Sequence, residues 1–198
     1  MNNNAFFNPH SHKILLASGS PHKRKLLDIL GIDFETYSPD IDESQRKQEL
    51  PRFYALRLAE IKAAAAVQKY PEHVIIGLDN VVSRGRKIYD KARTDEDVRV
   101  FLKDMSGKTC MVHTGLSVRF PGGAHRNRIV SGKVKFKNFS RDEIEFYVAS
   151  KEGLDCAGGL AIEGIGTVLI KNIHGKQDAI IGMPLYELSN ILRGHSDG

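Results

Sequence analysis

The strand-to-helix segment near the start of the chain restricts the fold most, because only a short turn separates the predicted strand from the predicted helix. Lys13 to Ala17 is short and mostly apolar, which predicts a buried strand, and Ser18-Gly19-Ser20 predicts a turn. Ser20 suits the N-cap of a helix, Pro21 suits its first position, and Gly31 lies where a C-terminal cap is expected. A strand joined so directly to a helix favours the α/β class.

The alternation of strand and helix signals continues through the rest of the 198-residue chain. We predict helices at Pro51 to Val67, Thr94 to Met105, Ser140 to about Ser150 and Pro184 to Arg193. We predict strands at Val74 to Leu78 and Thr167 to Ile173, a turn at Arg84 to Lys87, a hairpin of Cys110 to Phe120 with Arg128 to Phe136, and a loop at Gly153 to Gly166. The expected organisation is a flexible leader over residues 1–12, one two-lobed domain over 13–194 and a tail over 195–198.

The composition suits a folded domain that binds an anionic ligand. There are 29 Lys and Arg residues against 24 Asp and Glu, which gives a net charge of +5, and 41% of the residues are hydrophobic. This mixture excludes a wholly disordered chain, and the positive charge fits nucleic acid and other anions equally well. The two cysteines, Cys110 and Cys156, cannot build a disulfide scaffold, so we expect free thiols in a reducing compartment.

The apolar stretches of the chain are too short for a membrane span, which needs about 18 residues. The start of the chain carries no charged region and no long apolar core, so we expect no secretory signal. These features predict a cytoplasmic protein that has no membrane partner.

The turn after the first strand is a candidate phosphate site. The N-terminus of a helix favours an anion, Ser18 and Ser20 add hydroxyl groups, and Lys23 and Arg24 add positive charge. The alternative is a capped surface helix whose basic residues are simply solvated.

Three further charged residues could take part in phosphate chemistry. Asp79 follows an apolar strand, where a carboxylate can hold Mg²⁺ or activate water, although strand ends also use Asp to form turns. Glu43 lies in an acidic loop that could bind a metal, but spacing alone favours a solvated turn. Lys91 follows a hairpin and could bind phosphate, or it could be solvated like most lysines.

Several familiar motifs are incomplete. Gly107-Lys108-Thr109 resembles the end of a P-loop, but Leu102 stands where that motif requires Gly. Nothing completes a zinc site around Cys110 and His113, and no aromatic and basic residues alternate as in RNA-binding sheets.

A set of short motifs occurs in a specific order along the chain. They are Leu16-Ala17-Ser18-Gly19-Ser20-Pro21, Asp42-Glu43, Arg57-Leu58-Ala59-Glu60-Ile61-Lys62-Ala63, Gly77-Leu78-Asp79-Asn80-Val81-Val82, Ser106-Gly107-Lys108-Thr109 with Thr114-Gly115, Ala157-Gly158, Glu163-Gly164 and Gly182-Met183-Pro184-Leu185. Each motif alone is weak, but together they resemble the Maf-like nucleoside triphosphate pyrophosphatases from Lys13 to about Leu192.

This resemblance implies a fold and a reaction. The fold would be a mixed sheet like that of the Maf and inosine triphosphatase proteins, with two lobes flanking a central cleft. The reaction would be hydrolysis between the α and β phosphates of a nucleoside triphosphate, with a divalent metal ion such as Mg²⁺, Mn²⁺ or Co²⁺. By resemblance, Asp79 is the proton acceptor, and Glu43 and Lys91 are site residues. Which of Glu43 and Asp79 holds the metal stays open at this point.

Three positions bear on which base the enzyme accepts. The branch that acts on dTTP and UTP resembles Ser-Pro-Arg-Arg, Asp-Thr and Ile-Gln-Gly, where this chain has His22, Asn80 and Glu163. Cys156-Ala157-Gly158 and Glu163-Gly164 instead resemble the 7-methyl-GTP branch. A carboxylate at Glu163 could accept from both donors of a methylated guanine and attract its positive charge. His22 departs from the Trp of that branch, and Ala92 departs from the Pro that usually follows the Lys.

The leading prediction is therefore a pyrophosphatase for a modified nucleotide, with 7-methyl-GTP as its substrate. The alternatives are a dTTP/UTP pyrophosphatase of the same family, and a non-catalytic nucleotide-binding regulator of septum formation. A nucleic-acid binder rests on the basic charge alone, so we expect no stable nucleic-acid binding. The resemblance also suggests a homodimer.

Overall fold

The computed structural model of the protein describes residues 3–194. The strands are β1 Lys13–Ala17, β2 Glu35–Thr36, β3 His73–Arg84, β4 Lys87–Tyr89, β5 Thr109–Arg119, β6 His125–Phe136 and β7 Ile170–His174. The helices are α1 Asn3–Phe7, α2 Pro21–Asp28, α3 Pro51–Val67, α4 Asp95–Met105, α5 Arg141–Ala149, α6 Gln177–Ile181 and α7 Leu185–Leu192. A 3₁₀ helix, Ile165–Leu169, precedes β7.

The seven strands form one sheet, and it is mixed, as the resemblance implies. The order is β2-β1-β3-β5-β6-β7, and β4 pairs with β3 outside that path. β1 runs parallel to β2 and β3, whereas β3, β4, β5, β6 and β7 pair in antiparallel fashion. The α/β class and the mixed sheet are therefore confirmed.

The long strand β3 has a gap along one of its edges. β5 pairs with β3 from Ile75 to Ser83, which occupies one edge. On the other edge, β1 pairs with residues 73–77 and β4 pairs with residues 82–84. Within the described residues no strand pairs with this edge from Leu78 to Val81. The cleft of the protein lies at this gap, between the part of the chain that follows β1 and the part that follows β4.

Two apolar cores lie on either side of the gap. One joins β1, α2 and α7, through side chains that include Leu16, Leu27, Ile76 and Leu188. The other joins β4, α4, α5 and the end of the sheet, through side chains that include Tyr89, Leu102, Phe136 and Tyr147. β3 and β5 run through both cores. The two lobes predicted from the resemblance correspond to these two cores.

Helix α3 lies very close to the opposite face of the sheet, because glycines stand beneath it. A Cβ atom on Gly77 would lie 2.1 Å from the carbonyl oxygen of Ala59, and one on Gly115 would lie 2.3 Å from that of Ala55. Small residues on both sides therefore allow the helix to approach the strands. This approach places the polar end of Lys62 beside the gap.

The structure differs from the sequence prediction at several places. The predicted strand Val74 to Leu78 does not end at Asp79 but continues to Arg84, because β5 pairs with it over the whole of that length. The predicted strand at Thr167 begins as the 3₁₀ helix, and the strand itself is β7. α6 was not predicted, and it is too short to show a helical period. The final helix begins at Leu185 rather than at Pro184.

The leader predicted to be flexible contains helix α1. The side chain of Asn8 donates to the carbonyl oxygen of His12 at 2.7 Å and accepts from its backbone N–H at 3.1 Å. Phe7 packs against the core that contains β1. Local hydrogen bonds and apolar contact therefore connect this segment to the domain, and its flexibility stays a prediction. The predicted tail at 195–198 lies outside the described residues, as do residues 1 and 2. Across the part that is described, no helix is long and apolar enough to cross a membrane.

Candidate active site

Two carboxylates meet at one lysine beside the gap in the sheet. The Nζ atom of Lys62 lies 2.6 Å from Oδ1 of Asp79 and 2.9 Å from Oε1 of Glu43. Asp79 is only 8% exposed, whereas the side chain of Glu43 is half exposed. The structure therefore brings together the two acids that the sequence analysis selected, and Lys62 joins them.

The sequence analysis assigned no role to Lys62. The residue lies four positions after Leu58 and four before Ala66, both of which are buried, so the helical period could have placed it on the buried face. Burial alone lowers the pKa of Lys62, but the charge and hydrogen bonds of Asp79 and Glu43 outweigh it and raise the pKa above its usual value. Lys62 is therefore charged at neutral pH and fixes one oxygen of each carboxylate.

The acidic loop that carries Glu43 is attached to α3 by the side chains of Tyr54 and Arg57. The hydroxyl of Tyr54 donates to the backbone carbonyl of Glu43 at 2.6 Å. Arg57 donates to the carbonyl of Ser44 at 2.9 Å and forms a bidentate pair with Glu49 at 2.6 and 2.8 Å. Burial alone raises the pKa of Glu43, but Lys62 and the more distant lysines lower it below its usual value. Glu43 is thus held ionised at the cleft.

Lys23 occupies the open edge of β3. Its Nζ donates to the carbonyl oxygen of Leu78 at 2.8 Å, a group that faces the gap instead of a neighbouring strand. Burial lowers the pKa of Lys23 to about 8; the charge of Asp79 opposes this change, and the charges of Lys62 and Lys91 add to it. Lys23 is therefore a partly buried cation whose charge depends on the neighbouring groups and on any bound anion.

The serine turn, Ser18-Gly19-Ser20, joins β1 to α2 as the sequence predicts. Ser20 caps α2 by accepting from the backbone N–H of Lys23 at 3.4 Å, and Ser18 accepts from the N–H of Ser20 at 3.2 Å. Both hydroxyls keep their own hydrogen for donation to a ligand. Arg24 is exposed, and only its backbone N–H takes part in the first helical turn. The structure does not bring Arg24 to the two carboxylates.

Lys91 lies on the opposite rim of the cleft, two residues after the end of β4. It forms an isolated antiparallel bridge with Ala157, and the next residue, Ala92, donates its N–H to the carbonyl of Cys156 at 3.2 Å. A proline at position 92 would lack this N–H, so Ala92 adds a hydrogen bond that the usual residue cannot form. Glu43, Asp79, Asn80, Lys91 and Ala157 are among the residues that line a cleft of about 600 Å³, a size that suits a nucleotide.

The three candidate specificity residues lie around the other side of β3. His22 Nδ1 is 3.2 Å from Oε1 of Glu163, and His22 Nε2 is 3.2 Å from the carbonyl oxygen of Ile181. His22 belongs to α2, whereas Glu163 belongs to the long loop of the other lobe, so this contact bridges the cleft.

Asn80 is held by two groups to which the sequence analysis assigned no role. Its Nδ2 donates to the hydroxyl of Thr114 at 2.8 Å, and that hydroxyl donates to the carbonyl of Ala179 at 2.6 Å. Thr114 lies directly opposite Asn80 in the sheet, and Ala179 belongs to the unpredicted α6. With its amide nitrogen engaged, Asn80 presents its carbonyl oxygen as an acceptor.

Comparison with known proteins identifies the family of the chain. The family model described as Maf-like protein matches residues 13–195. A protein named nucleoside triphosphate pyrophosphatase from Neorickettsia sennetsu is 40% identical over 90% of this chain and 86% of its own length. Proteins named dTTP/UTP pyrophosphatase are 35% identical in Syntrophus aciditrophicus, covering 92% of this chain and 90% of that one, and 38% identical in Deinococcus radiodurans, covering 92% of each.

Proposed function

The chain belongs to the family of Maf-like proteins, and we propose on that premise that it hydrolyses nucleoside triphosphates to a monophosphate and pyrophosphate. One observation carries the proposal. The carboxylates of Asp79 and Glu43 meet at Lys62 in a cleft of nucleotide size, and the charges of Lys23 and Lys91 act on the same group of residues. A highly anionic substrate and an ionised base can be held together by this arrangement.

Each of these residues has a separate role in the proposed reaction. Asp79 accepts the proton of the attacking water, since a carboxylate within reach of water is a competent general base. Lys62 orients the carboxylate of Asp79 through the contact at 2.6 Å. Lys23, Lys91 and the N-terminus of α2 bind phosphate oxygens and stabilise the charge that develops on the leaving pyrophosphate.

We also propose that a divalent cation is bound by Glu43 and Asp79. Lys62 contacts Oε1 of Glu43 and Oδ1 of Asp79, which leaves the second oxygen of each carboxylate for a metal. Two carboxylates completed by substrate phosphates suit Mg²⁺, and the described residues contain no group of three His, Cys, Asp or Glu side chains that could hold a metal without substrate. When bound, such an ion supplies Lewis-acid activation of the phosphate.

For the base, we propose a guanine of the 7-methyl-GTP type. Glu163 and the carbonyl oxygen of Asn80 are both acceptors, and the Watson–Crick edge of guanine offers two donors, N1–H and the N2 amine. A second candidate, dTTP or UTP, is favoured by the names of the relatives from Syntrophus aciditrophicus and Deinococcus radiodurans. The homodimer and the cytoplasmic location stay predictions.

The first test is pyrophosphate release from a panel of 7-methyl-GTP, GTP, dTTP, UTP and CTP. We expect release with Mg²⁺, Mn²⁺ or Co²⁺, loss of release with EDTA, and the highest kcat/KM for 7-methyl-GTP. A preference for dTTP or UTP would replace the proposed base but keep the reaction. Tight nucleotide binding without product under every cation would contradict the enzyme and favour a nucleotide-binding regulator.

The lowered pKa of Lys23 predicts how substrate binding depends on pH. In the free protein Lys23 is charged below pH 8 and loses its charge as the pH rises through 8, whereas a bound triphosphate favours the charged form. Binding above pH 8 therefore requires proton uptake, and we expect KM to rise by about tenfold per pH unit. KM is measured from pH 7 to 9.5 for the wild type and for Lys23→Arg, which stays protonated. An equal rise in both proteins would assign the titration to the nucleotide or to another group.

A further inference from the structure

The loop that carries Glu163 is tied to the end of α5 at points on both sides of that residue. Before Glu163, the backbone N–H of Ala161 donates to the hydroxyl of the buried Tyr147 at 2.9 Å. After it, the backbone N–H groups of Ile165 and Gly166 donate to the two carboxylate oxygens of Glu152 at 2.9 and 3.0 Å. Only the short stretch around Glu163 itself lies between these attachments.

Glu152 is well suited to hold the loop in one position. An ionised carboxylate that accepts from two consecutive N–H groups satisfies both open donors at the start of the 3₁₀ helix, and such charge-assisted bonds are stronger than neutral ones. The backbone N–H of Glu152 in turn donates to the hydroxyl of Ser150 at 3.3 Å, and its carbonyl oxygen accepts from Sγ of Cys156 at 3.4 Å. Glu152 is therefore attached at both its main chain and its side chain.

Gly164 lies between Glu163 and the two N–H groups that Glu152 binds, and its lack of a side chain leaves room for the carboxylate of Glu152. A Cβ atom on Gly164 would lie 1.9 Å from Oε1 of Glu152. The φ angle of Gly164 is −109°, which any residue can adopt, so close approach and not backbone strain is what distinguishes this position. A side chain here would push the carboxylate away from the N–H groups of Ile165 and Gly166.

We propose that Glu152 is a positioning residue for base selection: by binding the backbone of Ile165 and Gly166, it holds Glu163 where a base can meet it. This role rests on the proposed function, because Glu163 selects a base only if a nucleotide is bound. Within the described residues, Glu152 is not among those that line the cleft, and it forms no hydrogen bond with the two carboxylates at Lys62. Its loss should therefore change the choice of base and leave the chemical step alone.

The test uses two variants and one matched control. Glu152→Gln keeps the size of the side chain but presents an NH₂ group to one backbone N–H, and Gly164→Ala displaces the native carboxylate. The control is Glu143→Gln. It alters a carboxylate at the start of α5, which accepts from the backbone N–H of Ser140 at 2.9 Å. Each protein is assayed for kcat and KM on the preferred nucleotide and on the poorest substrate of the panel.

We expect both test variants to raise KM for the preferred nucleotide by about tenfold, so that discrimination between bases falls, while kcat stays within about twofold. Hydrogen exchange at the amides of Ile165 and Gly166 should become at least about tenfold faster in Glu152→Gln. The control should keep wild-type discrimination and exchange.

Unchanged discrimination in spite of faster exchange would overturn the positioning role, as would an equal loss of discrimination in Glu143→Gln. Unchanged exchange at both amides would show that Glu152 does not hold the loop, whether or not the protein hydrolyses any nucleotide. If the wild type shows no turnover, the proposed reaction fails on its own, and Kd values for the same nucleotides replace KM in the comparison.

Discussion

Asp79→Asn is expected to lower kcat for pyrophosphate release by about 100- to 10,000-fold, because an amide cannot accept the proton of the attacking water. The substitution preserves the shape of the side chain and its position on β3. It removes the charge that Lys62 contacts at 2.6 Å, so Lys62 keeps only Glu43 as an ionised partner. The affinity for nucleotide should change much less than kcat, since the phosphate-binding lysines and the base-binding residues Asn80 and Glu163 remain in place.

The matched control for this prediction is Asp90→Asn. Asp90 is an exposed aspartate that lines the same cleft, and its backbone carbonyl, not its side chain, accepts from the N–H of Gly158. This variant changes the charge of the cleft by the same amount as Asp79→Asn, and we expect it to stay within about threefold of the wild type because an exposed charge contributes little. Activity in Asp79→Asn within tenfold of the wild type would remove Asp79 from the role of proton acceptor.

Glu163→Gln is expected to lower kcat/KM for 7-methyl-GTP by roughly 10- to 100-fold relative to dTTP, the range expected when hydrogen bonds to a charged group are lost. The carboxylate of Glu163 can accept from both donors on the guanine edge and attract a positively charged base. Glutamine has one acceptor oxygen, and its NH₂ group would face a donor of the base. His22 engages only Oε1 of Glu163, so Oε2 is not committed to that contact.

Asp155→Asn provides the control within the same loop. Asp155 is exposed and pairs with Arg93. Its substitution also removes one negative charge from this lobe, but it leaves the base-binding residues Asn80 and Glu163 unchanged. The two variants are compared by the ratio of kcat/KM values for 7-methyl-GTP and dTTP. A ratio that does not move in Glu163→Gln, or that moves equally in Asp155→Asn, would exclude Glu163 as the residue that selects the base.

Local signals in the sequence were sufficient for most of the helices and for the serine turn. Ser20 and Pro21 begin α2, and Thr94 and Ser140 form capping boxes at the starts of α4 and α5, as their sequences indicate. These signals are reliable because each depends on groups within one helical turn of each other. The unpredicted α6 and the 3₁₀ helix lack such signals, since no side-chain cap begins either of them.

The sequence by itself determined the α/β class and the family, and it selected Glu43, Asp79, Lys91, Lys23 and Glu163 as candidate site residues. Only the tertiary structure decided how these residues are arranged. The gap along β3 exists because β1 and β4 share one edge of that strand, and Lys62 reaches Asp79 because glycines let α3 approach the sheet. The contact of His22 with Glu163 joins two lobes. Local propensities act between near neighbours in the chain, whereas these contacts depend on the packing of segments that are distant in sequence.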